Sequence, residues 1–363
     1  MKRFVISFAL LFGVVSGIFA QNDWQPLARV KLNGSEVITL KQLKIRAEFV
    51  KKQYEANGVS VELSVDDRKQ LLDGLINEKL ISQAALKENL KVSGTEVNTY
   101  FLSTFSQQLG QQVSEAQLSE IIKRSTGLTL DEYIKQNTGM SLDEYKLYLE
   151  SQLTAQKYII NKKQAELQAV AATDEEIRAA YDMNKAQFVQ NDMMKLFLVV
   201  VPKGTDNVTA RATATDLLNK YKANPKSEDS IKNSTDNSSK YQAGNITVAK
   251  TSEQAKQLGW DFSKMQELFA HDVGYVSSLS ETENDFQFYA VLKKYEAKML
   301  SLSDLVQPET TITVYDYIKQ TLTSQKQSQF LSVAAQQIAK DLNKPENVER
   351  VKTGDALTNL LNW

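Results

Sequence analysis

The sequence contains no cysteine and a single histidine, His271. Without cysteine there can be no disulfide, no thiolate nucleophile and no sulfur-ligated metal. With one histidine a multi-His zinc site is impossible, and a Ser-His-Asp arrangement has only His271 to draw on. That residue sits in Phe269-Ala270-His271-Asp272-Val273-Gly274. The segment reads as a helix end running into a turn, where a solvated imidazole is stabilised by the helix dipole. No catalytic residue, metal site or cofactor is therefore expected. Lysine and arginine number 43 against 44 acids, a net charge of −1, so the basic patch that a nucleic-acid partner would need is missing. No G-x-x-x-x-G-K-[ST] loop occurs, which argues against ATP. Beyond residue 20 no run is apolar enough to span a bilayer, so stable membrane insertion is not expected.

What is present begins with a targeting segment. Lys2 and Arg3 form a positive start, Phe4 to Phe19 is almost wholly apolar, and Ala20 precedes the polar Gln21-Asn22-Asp23. This pattern predicts export with cleavage near Ala20, leaving a mature protein in the periplasm or cell envelope. Losing Lys2 and Arg3 takes the net charge from −1 to −3. Exported proteins often rely on disulfides; this one must rely on packing, which a chain of its length can supply.

The mature part opens with a short strand pattern at Ala28–Leu32, a turn at Asn33-Gly34 and further alternation at Val37-Ile38. Helices follow. Leu71, Leu72, Leu75, Ile76, Leu80, Ile81, Ala84 and Ala85 form a wide apolar stripe that must be covered by another helix. Five capping boxes predict helix starts at Ser93/Glu96, Ser114/Gln117, Thr129/Glu132, Ser141/Glu144 and Thr173/Glu176. One internal repeat, Thr126–Tyr133 recurring as Thr138–Tyr145, places a helix-ending Gly before a capping box in each copy. This is punctuation between helices.

The pattern changes near residue 193. Met194–Val201 reads as a buried strand, 209–222 as a helix, Asn224–Asn245 as a polar surface loop and Phe262–Ala270 as a helix. Phe286, Phe288, Ala290 and Leu292 alternate as a last strand. After Pro308 helical spacing returns, with Tyr315, Ile318, Leu322, Phe330, Val333, Ala334 and Ile338 in register. The expected fold is mainly α with an inserted α+β domain. Residues 21–192 would form the N-terminal helical domain, 193–298 the insert, and 299–363 a C-terminal segment packing back on the first helices.

In this order of parts the chain resembles the SurA/PrsA-type envelope foldases. The resemblance rests on Arg29–Ile38, on the helix Leu71–Ala85, and on the helix starts Gly139–Tyr145 and Thr173–Ile177. It implies an N-terminal chaperone domain, a parvulin-type prolyl isomerase insert and a returning helix. Parvulins carry a His in the first strand and another in the last. Here Phe197 stands at the first position and the last strand, Asp285–Val291, offers aromatics. The family's glycine-rich turn is reduced to Ala243-Gly244-Asn245-Ile246-Thr247, while Met265, Leu268 and Phe269 keep the pattern of the groove-lining helix. The resemblance implies a peptide-binding groove of Phe197, Met265, Leu268, Phe269 and Tyr289. With both histidines replaced, an ATP-independent holdase for unfolded exported or outer-membrane polypeptides is the expected function. An active prolyl isomerase and an envelope structural protein are the alternatives.

Overall fold

The computed structural model describes residues 23–204 and 206–363, and the targeting segment lies outside them. In chain order the elements are β1 (Pro26–Val30), β2 (Glu36–Thr39), α1 (Leu40–Ala56), α2 (Val65–Lys87), α3 (Gly94–Leu109), α4 (Glu115–Thr126), α5 (Leu130–Thr138), α6 (Leu142–Lys162) and α7 (Gln164–Ala169). Next come α8 (Asp174–Asn184), β3 (Val189–Gln190), β4 (Met193–Pro202), α9 (Asn207–Ala223), α10 (Glu228–Lys232), β5 (Gln242–Ala249), α11 (Ser252–Gln257) and α12 (Phe262–Ala270). The chain ends with β6 (Ser280–Glu281), β7 (Asp285–Tyr295), β8 (Lys298–Met299), α13 (Val314–Leu342), β9 (Val348–Arg350) and α14 (Gly354–Leu360). The described residues divide into two compact units, 23–170 with 326–363, and 171–325.

All five predicted capping boxes form, each with the Ser or Thr oxygen accepting from the backbone and the acid or amide reaching back. Two more start α1 and α2, Thr39/Gln42 and Ser64/Asp67. The repeat works as punctuation: Gly127 and Gly139 end α4 and α5 at φ 78° and 77°, in the left-handed region that Gly enters without penalty. Asp131 adds a tie, accepting from the Leu142 amide at 2.7 Å.

In the first unit the α2 stripe is buried as expected. Leu72, Ile76 and Leu80 pack with Leu27, Val30 and Ile38 of the small sheet, and with Leu357 of α14 and Leu361 at its C-terminal cap. Further along α2, Ile81, Ala84 and Ala85 meet Tyr158 and Ile159 of α6 and Ala334 and Ala339 of α13. The sheet order is β2-β1-β9, so the last short strand pairs antiparallel with the first. Fully buried Gln83 accepts from the Asn33 amide at 2.9 Å and donates to Glu36 at 2.9 Å, fixing the turn between β1 and β2 on α2. A third cluster, Phe101, Leu118, Ile122, Ile134 and Leu149, closes α3 to α6 on one another.

The second unit is built on a four-stranded antiparallel sheet in the order β5-β4-β7-β6. It is wider than the 193–298 segment. Ile177 and Tyr181 of α8 pack with Leu300, Val314 and Ile318, and the Tyr181 hydroxyl donates to the Leu300 carbonyl at 2.8 Å. Tyr315 and Leu322 also side with this cluster, so only the later part of the C-terminal stripe, from Phe330 to Ile338, belongs to the first unit. Val333 is 63% exposed and lies off the buried face.

The segment Asn224–Asn245 is not one loop. It holds α10 and the start of β5, anchored by buried Ile231 and Tyr241, whose hydroxyl donates to the Ile231 carbonyl at 2.9 Å. Two isolated apolar anchors in a polar stretch carry no periodic signal, which is why composition pointed to a loop. Ala243–Thr247 is likewise a strand in register with β4, Phe197 opposite Asn245, and not a turn.

Candidate functional site

Strand alternation sorts the sheet of the second unit into two faces. On one, Phe197, Val199 and Val201 of β4 and Phe286, Phe288 and Ala290 of β7 pack under Ala210, Ala214 and Leu218 of α9. On the other, Leu196 of β4 and Tyr289 and Val291 of β7 meet Met265 and Leu268 of α12 and Trp260 before it. Cross-strand pairing sets Leu198 opposite Tyr289 and Phe197 opposite Ala290.

Four of the five expected groove residues therefore come together, and Phe197 does not. Met265, Leu268, Phe269 and Tyr289 share the α12 face. Phe197 is fully buried on the α9 face, its ring stacked on Tyr221 at 5.0 Å. The position that looks towards α12 is one residue away, at Leu196 or Leu198. Met265 and Leu268 are also fully buried, so they support the face from below. Phe269, Tyr275, Leu198 and Ile246 remain partly open at its margin.

The polar groups on this face are tied to structure. Trp260 Nε1 donates to Gln287 Oε1 at 3.0 Å, with both residues buried. Ser277 binds β7 twice, its N–H donating to the Tyr289 carbonyl at 2.9 Å and its Oγ accepting from the Tyr289 N–H at 2.9 Å. Burial pushes the Tyr289 phenol up to about 12, with the nearby Tyr275 and Glu267 charges adding to the shift. A phenol so raised stays neutral and is a poor base near neutral pH. Burial lowers the Lys264 ammonium, against the opposing pull of Asp285 and Glu267; it lies 4.8 Å from the centre of the Trp260 ring. His271 caps the end of α12, as its sequence context suggests. It is half-buried, stacked on Tyr275 at 3.4 Å. The face can hold apolar and aromatic groups but presents no imidazole pair. Among the described residues no cluster of His, Asp or Glu could hold a metal.

A second candidate lies in the first unit and was not anticipated. A groove of about 880 Å³ runs between α3 and α6, lined by Leu90, Val92, Tyr100, Leu153 and Ile160 among others. Tyr100 is 45% exposed there. Lys157 and Glu96 pair at 3.6 Å among the lining residues. Glu96 is held below the usual carboxylate range by hydrogen bonds from the Ser93 backbone and hydroxyl, so the capping box of α3 also fixes this charge. The available signal was Tyr100, a large aromatic at the margin of the Val97–Phe101 stripe.

Residues 3–159, which include every residue named above from the groove except Ile160, match the family of the SurA-like N-terminal domain. A comparison with curated proteins gave no match. Among solved structures, the chain is similar to the foldase protein PrsA of Streptococcus pneumoniae at 19% identity, covering 90% of this chain and 95% of that one, with a TM-score of 0.27. PrsA of Bacillus subtilis shares 18% identity over 94% of this chain and 99% of that one, with a TM-score of 0.27. A Campylobacter jejuni chain from the pair PEB4 and Cj1289, described as structurally related SurA-like chaperones, shares 14% identity over 90% and 99%, with a TM-score of 0.31. At these scores the three structural likenesses carry no further argument. Among the described residues, no helix is long and apolar enough to cross a membrane.

Proposed function

We propose that the protein is an ATP-independent chaperone of the bacterial cell envelope that holds unfolded exported or outer-membrane polypeptides, with an α+β unit that no longer catalyses prolyl isomerisation. The observation that carries the reading is the α3–α6 groove, an apolar channel with an exposed aromatic at its side, within the SurA-like domain. Unfolded chains expose apolar and aromatic side chains, and such a groove gains from covering them without covalent chemistry. Aromatics suit this task because they give large contact area at low ordering cost. The apolar start of the sequence supports an envelope location.

The composition of the α12 face supports a silent isomerase. Prolyl isomerisation crosses a barrier of about 20 kcal/mol. The face that the resemblance assigns to it offers a neutral phenol, buried hydrocarbon and a tied Trp–Gln pair.

The test pairs two assays on the full mature chain, with chelator and without ATP. Suppression of aggregation of a chemically unfolded client is expected, while turnover of a short proline peptide stays at background. Charging the groove with Tyr100→Glu and Ile160→Glu should weaken holding several-fold and leave the melt of the second unit unchanged. Robust turnover sensitive to Met265 or Phe269 would restore the isomerase reading. Failure in both assays would favour a structural protein.

A further inference from the structure

β5 is an outer strand of its sheet, and its pairing with β4 determines which backbone groups face away. Lys250 N–H donates to the Asp192 carbonyl at 2.9 Å. Antiparallel alternation then gives Gly244, Ile246 and Val248 to β4 and turns Asn245, Thr247 and Ala249 outwards. Ala243 has the same outward parity. Its N–H and carbonyl are met from outside by the Asn237 side chain, at 2.9 and 3.2 Å. At the far end the Ala249 carbonyl accepts from Thr251 at 2.8 Å. Between these stops, the N–H groups of Asn245, Thr247 and Ala249 and the carbonyls of Asn245 and Thr247 have no backbone partner among the described residues.

The outer side of β7 is treated differently. There Gly274 donates to the Val291 carbonyl at 2.8 Å and Ser277 to the Tyr289 carbonyl at 2.9 Å. Exposed edges are usually blunted by lysine, proline or a bulge. Gln242–Ala249 has no charge and no proline, and it pairs with β4 without a register shift.

We propose that β5 accepts an extended, uncharged segment of a client polypeptide as a fifth strand, with apolar side chains on one face and polar ones on the other. This rests on the client-holding reading and names the conformation in which the client is held. Complementarity selects the occupant. A row of alternating outward donors and acceptors is matched by extended backbone and not by a helix, whose groups are already paired. The uncharged strand favours an uncharged neighbour. Alternate side chains of the incoming strand would lie beside Gly244 and Ile246 of β5, at the margin of the apolar α12 face. The others would lie beside Asn245, whose amide already donates to Glu228 at 2.9 Å, and Thr247.

The test uses the full mature chain and a synthetic peptide alternating valine and threonine between terminal lysines, with a twin N-methylated at alternate amides. Binding should slow hydrogen exchange at the Asn245 and Thr247 amides about tenfold or more. Thr247→Pro removes an outward N–H at a position where an edge strand tolerates proline; it should weaken peptide binding about tenfold, while Thr247→Ala should not. If Thr247→Pro lowers the melting temperature, Thr247→Lys, which charges the edge, serves in its place. Unchanged exchange on binding, equal binding of the methylated twin, or wild-type affinity in the edge variants would overturn the proposal. Protection that rises with protein concentration in the absence of peptide would also overturn it, because the occupant would then be a second copy of this chain. If the peptide does not bind while aggregation is still suppressed, the edge proposal falls and client holding stands. Edge protection without aggregation suppression would fall on the holding reading.

Discussion

Phe197 and Tyr289 lie one register step apart in paired strands, yet they face opposite sides of one sheet. Phe197 stacks on Tyr221 at 5.0 Å and meets Phe288 edge-on at 6.3 Å, beneath α9. Tyr289 lies 5.6 Å from Trp260, beneath α12. One residue of offset turns an expected groove residue into core.

Phe197→Ala should cost about 3–5 kcal/mol, the usual range for a fully buried aromatic, read as a lower denaturant midpoint. Phe197→His should also destabilise, because it places an imidazole among hydrocarbon, and isomerase turnover should stay at background. A gain of turnover without loss of stability would show that residue 197 faces the groove.

Alkaline titration tests the burial of Tyr289. Its phenol is raised from an ordinary 10.0 to about 12, so the folded protein keeps this proton after the unfolded chain has lost it. The stability linked to the neutral phenol is present below pH 10.0 and lost as pH climbs through about 12. Phenolate absorbance should show a late component that shrinks in Tyr289→Phe, and that variant should lose stability less steeply above pH 10.0. An identical titration curve for the variant would show that Tyr289 ionises with the exposed tyrosines.

Leu361→Ala should lower the stability of the first unit by about 2–5 kcal/mol. Leu361 is fully buried against Leu27, Leu72 and their neighbours, and Arg68 Nη1 donates to its carbonyl at 2.6 Å. An unchanged urea midpoint for the helical signal would mean that α14 contributes nothing there.

Excision tests where the second unit ends. Joining residues 23–170 to 326–363 through a flexible linker should give a cooperative, strongly helical melt. Cutting at 192 and 299 should instead leave the small cluster of Ile177, Tyr181, Leu300, Val314 and Ile318 behind without the four-stranded sheet of its unit, and that protein should melt less cooperatively. The reverse result would return the boundaries to 193–298.

Local rules made much of this fold legible. Capping boxes depend on four consecutive residues, and every one read from the sequence formed. The two others were missed for different reasons: Thr39/Gln42 fits the same pattern, whereas Ser64/Asp67 replaces the usual Glu or Gln with Asp. β5 was hidden because Ala243-Gly244-Asn245 reads as turn chemistry, and only pairing with β4 makes it a strand. The C-terminal stripe from Tyr315 to Ile338 was visible, but periodicity does not say which core a helix serves, and α13 serves both units in succession. For the site, the family resemblance picked out Met265, Leu268, Phe269 and Tyr289, which share one face. The face taken by Phe197 depends on a register that sequence spacing does not fix. The α3–α6 groove was illegible because its lining belongs to stripes that otherwise serve as core.

The pairing of β1 with β9 sets the order in which the molecule can be completed. A ribosome releases β1 and α2 early, but Val348, Leu357 and Leu361 emerge only after the whole of the second unit. The residues that bury Leu27 and Leu72 from the other side do not exist until then. The unit at 171–325 has all its parts sooner, although it begins later. In a nascent chain the second unit can therefore mature first, and the first helices stay open to other contacts for as long as β9 and α14 are missing.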